Sequence, residues 1–361
     1  MDKSHRFLLY LLPILAVFFL FSALSCRKNP VVPPSPKDSR TYTWTVDTLV
    51  YQGNFQTNMR SIWGSSSSDV YVVGHSEMVR GDMYHFDGKE WQPIDLYFPD
   101  KLGNATIDLS AVYGFAANDV WIVGERINDN PNPPPTFLET SLASHYDGTS
   151  WTESKVPSGR VLQSIWGAAT NNIWAAGWNT VIHYDGISWT KADVWLPPDG
   201  IQFISLYCVA SNDIYMVGIK NDVTPPIDSS AYYLYHFTGE SWNVEDSVIV
   251  TAYTPGRKFG AEIFAVDKTY FSAGNGLFEK KDGQWINLLN APWVWRVGGS
   301  RLSNLFAVGE NGTAYQYNGS NWQRIVINGI SGVPLNSVWT DGREAFIMGN
   351  DGFKTYIAHG K

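Results

Sequence analysis

Four of the seven histidines stand at one recurrent place: His85, His145, His183 and His236 each precede an aromatic residue and a turn dipeptide, as in His85-Phe86-Asp87-Gly88. Imidazoles repeated in this way could ligate a metal, but metal ligands must converge within a few ångströms. Equivalent positions on successive repeats spread apart instead, so the spacing predicts packed or hydrogen-bonded histidines and no metal site. Sialidase-like hydrolysis would need clustered arginines, a tyrosine nucleophile with an acidic partner and an acid/base carboxylate. The arginines are scattered over Arg60, Arg80, Arg126, Arg160, Arg257, Arg296, Arg301, Arg324 and Arg343. There is no Gly-rich phosphate loop, no G-x-S-x-G and no zinc motif, so no catalytic residue and no cofactor is expected.

The elements that carry these residues are clearest in Gln163–Thr190. Ser164-Ile165-Trp166-Gly167, Ile173–Gly177 and Thr180–Tyr184 are short apolar runs, Asp185-Gly186 is a hairpin signal, and Trp189 opens a fourth strand. The same pattern recurs about seven times, with units starting near residues 59, 109, 162, 203, 262, 294 and 335. Four strands per unit at this period predict an all-β fold, a seven-bladed β-propeller. The degenerate fifth unit leaves six or eight blades as alternatives. The seventh unit stops where its Trp-led strand should start, and residues 41–49, with Trp44, supply the matching strand. The N-terminal strand is therefore expected to complete the last blade and close the ring, which removes exposed sheet edges.

Recurrent residues take structural roles in this reading. Asp87-Gly88, Asp147-Gly148 and Asp185-Gly186 mark hairpins between third and fourth strands. Trp91, Trp151, Trp189, Trp242, Trp285 and Trp322 are expected to wedge between blades, and Trp63 and Trp166 belong to the first strand of their units. Gly74, Gly124, Gly177, Gly218, Gly274, Gly309 and Gly349 end the second strands, either at positive φ or close to the neighbouring blade. Asp69, Asp119, Asn172 and Asp213 are expected to cap backbone N–H groups of the preceding turn.

These residues resemble a family of exported bacterial propeller repeats, x-[IV]-W-G-x-x-x-x-D-V-[WY]-x-V-G…H-[YF]-D-G-x-x-W. The match is direct at 62–91, 112–151 and 165–189, clear at 206–242 and partial beyond. It lies near Kelch-like and Asp-box propellers and those related to photosystem II assembly factors, although Asp and Gly are adjacent here, unlike in the Asp-box. The resemblance implies the fold and carries little function, because propellers host hydrolases, lectins and interaction platforms alike.

Composition fits a large aromatic core: 361 residues, 15% aromatic and 17% charged, with a formal net charge of −8. An acidic domain without a Lys/Arg stripe argues against nucleic acid. Residues 1–25 read as a signal peptide, with Lys3 and Arg6 ahead of the apolar run Phe7–Leu24; an uncleaved signal anchor is the alternative. Ala23-Leu24-Ser25-Cys26 resembles a bacterial lipobox, which implies lipidation at Cys26. Residues 26–40 form a Pro-rich tether before the propeller at 41–361. The only other cysteine, Cys208, then has no disulfide partner and fills a small buried slot.

Long segments fall on one face of the predicted ring. They are the insertions 125–141 and 220–231 and the connections 96–107, 194–202, 247–260 and 328–334, whereas the turns of the other face are uniformly tight. Varied loops on a rigid scaffold are where binding usually lives. Tyr97, Phe98, Phe137, Trp195, Tyr253 and Arg257 are the candidate ligand-binding residues; pinning of the loops is the alternative role for the aromatic ones. The function expected is that of a monomeric, lipid-anchored cell-envelope protein, on the outer membrane, that binds a protein or glycan. The second reading is a glycosidase-like enzyme at the mouth of the central channel. Two carboxylates with an Arg or His there would favour it, and an apolar, aromatic mouth would favour binding.

Overall fold

The computed structural model describes residues 38–51, 53–76, 82–96, 98, 106–198, 200–222, 229–251 and 259–361. Every unit of the repeat is a four-stranded antiparallel sheet, and seven of them form a β-propeller. Named A to D from the axis outward, the strands of blade 1 are Thr57–Ser66, Asp69–Ser76, Met83–Phe86 and Trp91–Pro93. Blade 2 has Thr106–Ala116, Asp119–Asp129, Phe137–Tyr146 and Trp151–Glu153; blade 3 has Leu162–Ala169, Asn172–Gly177, Thr180–Tyr184 and Trp189–Lys191. Blade 4 has Gln202–Ala210, Asp213–Asp222, Ser229–Phe237 and Trp242–Thr251; blade 5 has Glu262–Val266, Thr269–Gly274, Gly276–Lys281 and Gln284–Leu289. Blade 6 has Val294–Arg301, Asn304–Gly309, Thr313–Tyr317 and Trp322–Arg324. Blade 7 takes Leu335–Thr340, Ala345–Asn350 and Thr355–Gly360 from one end of the chain and Trp44–Leu49 from the other, with Trp44 opposite Gly360. The ring is closed as the sequence requires.

The core lies between the blades, in seven apolar clusters that each join two neighbours. Strand B explains this placement. In blade 1, Tyr71 and Val73 pack toward blade 2 while Val70 and Val72 pack toward blade 7. Both faces are buried, so the strand is continuously apolar rather than alternating. The strand D tryptophans lie edge-on to an aromatic ring of the preceding blade. Trp91 meets Phe346 at 6.3 Å, Trp151 meets Tyr71 at 6.3 Å, Trp189 meets Trp121 at 5.6 Å and Trp242 meets Trp174 at 5.5 Å. Trp44 does the same to Phe306 at 6.3 Å across the blade 6–7 seam. Trp285 and Trp322 pack into the blade 4–5 and 5–6 clusters.

Strand A stitches the ring tangentially. Ser61, Ser164 and Ser205 Oγ accept the N–H of Val112, Leu206 and Ile263 in the next blade at 3.2, 3.0 and 3.1 Å, and Glu262 Oε2 accepts that of Val297. Trp63 lies against Gly114 of the next blade so closely that a Cβ there would come 2.6 Å from its ring. Trp166 lies between Tyr113 at 4.5 Å and Tyr207 at 4.2 Å, tilted against both rings. Cys208 takes the small slot beside Trp166, 5% exposed, with its thiol pushed well up by burial.

Three sequence expectations change. The glycines ending strand B are not at positive φ, and in blades 1, 2, 3, 6 and 7 what they approach is backbone at the start of strand A of their own blade: a Cβ on Gly177 would lie 1.9 Å from the Val161 carbonyl oxygen, whereas one on Gly218 would meet the Ile201 and Phe203 side chains. The hairpin signals form four-residue loops rather than two-residue turns, since Phe86 pairs with Trp91. Asp87 Oδ1 accepts the N–H groups of Lys89 and Glu90, and Asp147 and Asp185 repeat this, with Gly88, Gly148 and Gly186 at φ +91° to +95°. Among the hairpins between strands C and D only that of blade 5 has a two-residue turn, Asp282-Gly283 between Lys281 and Gln284, with both residues at positive φ. Third, the insertion of blade 2 is mostly extra strand: Glu125–Asp129 pairs with Phe137–Ser141 as a ribbon, and strands B to D of blade 4 are similarly long.

Candidate functional site

The site begins with a backbone irregularity. In six blades the pairing of strands A and B slips by one residue just after the start of strand A, between Met59 and Ser61, Leu109 and Ala111, Leu162 and Ser164, Phe203 and Ser205, Val294 and Arg296, and Leu335 and Ser337. A bulge adds one residue and re-aims its side chain. The six extra residues are Arg60, Ser110, Gln163, Ile204, Trp295 and Asn336, and all six line one cavity of about 1030 Å³. It is the mouth of the central channel on the face of the B–C and D–A connections.

One arc of the mouth is charged. Arg60 of blade 1 forms an ion pair with Asp108 of blade 2, with the second contact, Nη2 to Oδ2, at 3.3 Å, and His75 Nδ1 lies 3.5 Å from Asp108 Oδ2. Glu125, on the blade 2 ribbon, lines the same arc; burial, with Glu139 and Asp108 adding repulsion, pushes its carboxyl up to about 7. Behind Asp108 sits Asp82, 6% exposed and also raised to about 7, mainly by burial, although the Ser76 N–H donates to it at 2.7 Å. The opposite arc is aromatic and apolar: Trp293 and Trp295, edge-on at 5.4 Å, with Tyr232, Ile219 and Ile204. On the same side as these rings Arg296 lines the cavity, its Nε 3.6 Å from Oε1 of Glu262, which lies behind it on blade 5 and is raised to about 7 by burial against the pull of Arg296.

The described ones among the residues singled out for binding, Phe98, Phe137 and Trp195, do not line this cavity. Phe98 is 8% exposed inside the blade 1–2 core, so it pins its connection and presents nothing to a ligand. Phe137 (53% exposed) stands at the end of the blade 2 ribbon, and Trp195 (54% exposed) lies on the blade 3–4 connection, edge-on to Tyr233 at 6.0 Å. Tyr97, Tyr253 and Arg257 lie outside the described residues, as do Cys26 and the whole of 1–37. The mouth residues were missed because the repeat hid them. Their signal is a position whose type changes, Arg, Ser, Gln, Ile, Trp and Asn, between an apolar residue and a constant strand.

The recurrent histidines are half-buried and hydrogen-bonded within their own blades. His85, His145 and His236 place Nε2 at 2.6–2.8 Å from Asp69, Asp119 and Asp213, and His183 at 3.0 Å from Asn172. This corrects the expected turn-capping role of those acids. Among the described residues no three His, Cys, Asp or Glu side chains form a group that could hold a metal ion. Burial opposes charge on Asp69, but bonds from His85 and Ser65 outweigh it and hold its carboxyl below 3.8. Such a group stabilises the fold above the unfolded value and loses that contribution as pH falls through the lower folded one. Thermal melts between about pH 5 and about pH 2 should therefore show a shallower acid loss in Asp69→Asn than in the parent chain. Equal slopes would contradict the pairing.

No protein family matches the sequence, and no curated protein does. Solved structures do match in fold. YCF48 bound to D1 peptide superposes with TM-score 0.55 at 13% identity, covering 88% of this chain and 96% of that one. YCF48 from Cyanidioschyzon merolae gives 0.54 at 11%, covering 87% and 98%. The extracellular domain of a hybrid two-component system of B. thetaiotaomicron gives 0.56 at 13%, covering 87% of this chain and 42% of that one. Identities this low show the propeller alone. Among the described residues no helix is long and apolar enough to cross a membrane.

Proposed function

We propose that this propeller is a non-catalytic binding scaffold of the cell envelope, carried on a lipid at Cys26, and that it holds a protein segment or glycan at the channel mouth. The carrying observation is the mouth itself: six blades re-aim one side chain each into a single open cavity with a charged and an aromatic arc. Aromatic faces with polar groups opposite suit a sugar or an extended peptide. The similar structure described as YCF48 bound to D1 peptide supports the peptide alternative. The signal-like start and the lipobox resemblance support the anchor.

A glycosidase-like reading is favoured by one observation, the Glu125 carboxyl at the mouth, raised to about 7 near the Arg60–Asp108 pair, since a general acid must hold its proton near neutral pH. One experiment separates the two. The full chain is screened on a glycan array and by crosslinking in its own envelope, with Trp295→Ala and Glu125→Gln beside it. Saturable binding lost in Trp295→Ala, with no sugar released, supports the scaffold. Turnover of a bound glycan that vanishes in Glu125→Gln would replace it with the enzyme. Binding unaffected by either change would remove the mouth from both readings.

A further inference from the structure

One rim position exists in seven versions, and one of them is left open. In blades 1, 2, 4 and 7 an imidazole (His85, His145, His236, His359) stacks on the strand B aromatic ring (Tyr71, Trp121, Tyr215, Phe346) with centroids 4.0–4.4 Å apart. Its Nε2 meets a carboxylate, Asp69, Asp119, Asp213 or Glu344. Blade 3 keeps the arrangement with Asn172 as the acceptor. Blade 6 has Gln316 in place of the histidine, and there the chain's own Ser39–Thr41 turn fills the recess. Gln316 Nε2 donates to Ser39 Oγ at 2.6 Å, Arg40 Nε donates to Gln316 Oε1 at 2.9 Å, and Arg40 Nη2 donates to the Asn321 carbonyl oxygen at 2.6 Å.

Blade 5 has neither filling. Its register puts Glu279 opposite Phe271, where the other blades have the histidine, and Thr269 stands in the place of the acid. Between blades 5 and 6 opens a recess of about 870 Å³, lined by Phe271, Leu289, Leu302, Tyr317, Trp322 and Glu279. Asn321, which holds Arg40 on one side, lines this recess on the other. Arg301 also lines it, with Nε donating to Ser303 Oγ at 2.9 Å, and Asp267 Oδ2 is taken by the Leu302 N–H at 3.2 Å. No described group donates to the Glu279 carboxylate.

We propose that the blade 5–6 recess is a second binding site, which takes an arginine-bearing extended segment of a partner protein. The guanidinium would meet Glu279 and its aliphatic stem would lie along Trp322 and Tyr317. Arginine fits better than lysine because its planar group bonds a carboxylate with two parallel N–H groups and stacks on aromatic rings. The filled blade 6 recess is the internal precedent for this chemistry, and the acidic net charge of −8 favours encounter with a basic segment.

The test titrates the full chain with a blocked peptide of sequence Asp-Ser-Arg-Thr-Tyr, that of residues 38–42, and with its citrulline analogue. Saturable binding is expected, weakened about tenfold or more by citrulline and by Glu279→Gln, whose unchanged circular dichroism verifies the fold. Absence of saturable binding overturns the proposal. So does binding that Glu279→Gln leaves intact, which would mean that the peptide merely displaces Ser39–Arg40 at blade 6.

Discussion

A chain without residues 38–49 is expected to lose its cooperative fold. Those residues supply the whole of strand D in blade 7, paired from Trp44–Gly360 to Leu49–Thr355. Tyr42 and Leu49 are 7% and 3% exposed and belong to the blade 6–7 and blade 7–1 clusters, and Trp44 packs edge-on to Phe306. Truncating a large buried side chain costs about 3 kcal/mol, and a domain has only about 5–15 kcal/mol in all. Deletion also opens Thr355–Gly360 as an unpaired sheet edge, which templates aggregation. Size-exclusion chromatography should show soluble aggregate, and the near-ultraviolet circular dichroism of the packed aromatics should collapse. A monomer with an unchanged melting transition would mean that blade 7 stands without its outer strand. Trp44→Ala alone should cost about 3 kcal/mol.

The second large effect is expected at Gly177. An added Cβ would lie 1.9 Å from the Val161 carbonyl oxygen and 2.7 Å from Leu162 Cα, both backbone atoms of the neighbouring strand. Nothing flexible can yield, so strand A must move and the bulge with it; overpacking of this kind costs about 3 kcal/mol. Gly352 provides the contrast. It sits at φ +90° with no atom within 4 Å of where a Cβ would stand, so Gly352→Ala meets only the left-handed backbone cost of about 1 kcal/mol. Urea denaturation of the two variants should separate their midpoints in that order. Equal losses would show that backbone conformation, not close approach, governs these glycines.

Much of the ring was legible because its signals are local. An apolar run, a turn and a Trp-led strand recur within each unit, and the unit lacking its last strand points to the strand at the other end of the chain. What escaped was relational. Asp69 looks like a turn cap because the turn is adjacent, yet its partner His85 is 16 residues away and meets it only once strands B and C pair. His359 with Glu344 repeats that contact in blade 7 and was unrecognised because no turn dipeptide follows it at the close of the unit. Five of the six candidate ligand residues rest on aromatic character on a long connection. Phe98 shows the weakness of that criterion, since an aromatic ring on a connection is as well suited to fill a gap beneath it. The mouth depends on bulges, which one sequence position cannot announce.

The Ser39–Arg40 clasp has a mechanical consequence. Tension entering the domain through the residues before Asp38 would otherwise fall on the Trp44 end of the seam, where the hydrogen bonds to Thr355–Gly360 lie across the strands and unzip one at a time. Arg40 is fastened to Gln316 and Asn321 of blade 6, and Thr43 exchanges both backbone hydrogen bonds with Lys361 at 2.9 and 3.1 Å. A pull therefore meets the guanidinium first and is passed sideways into a different blade. Under such a load the clasp would act as a strain relief, and the seam would be stressed only after it let go.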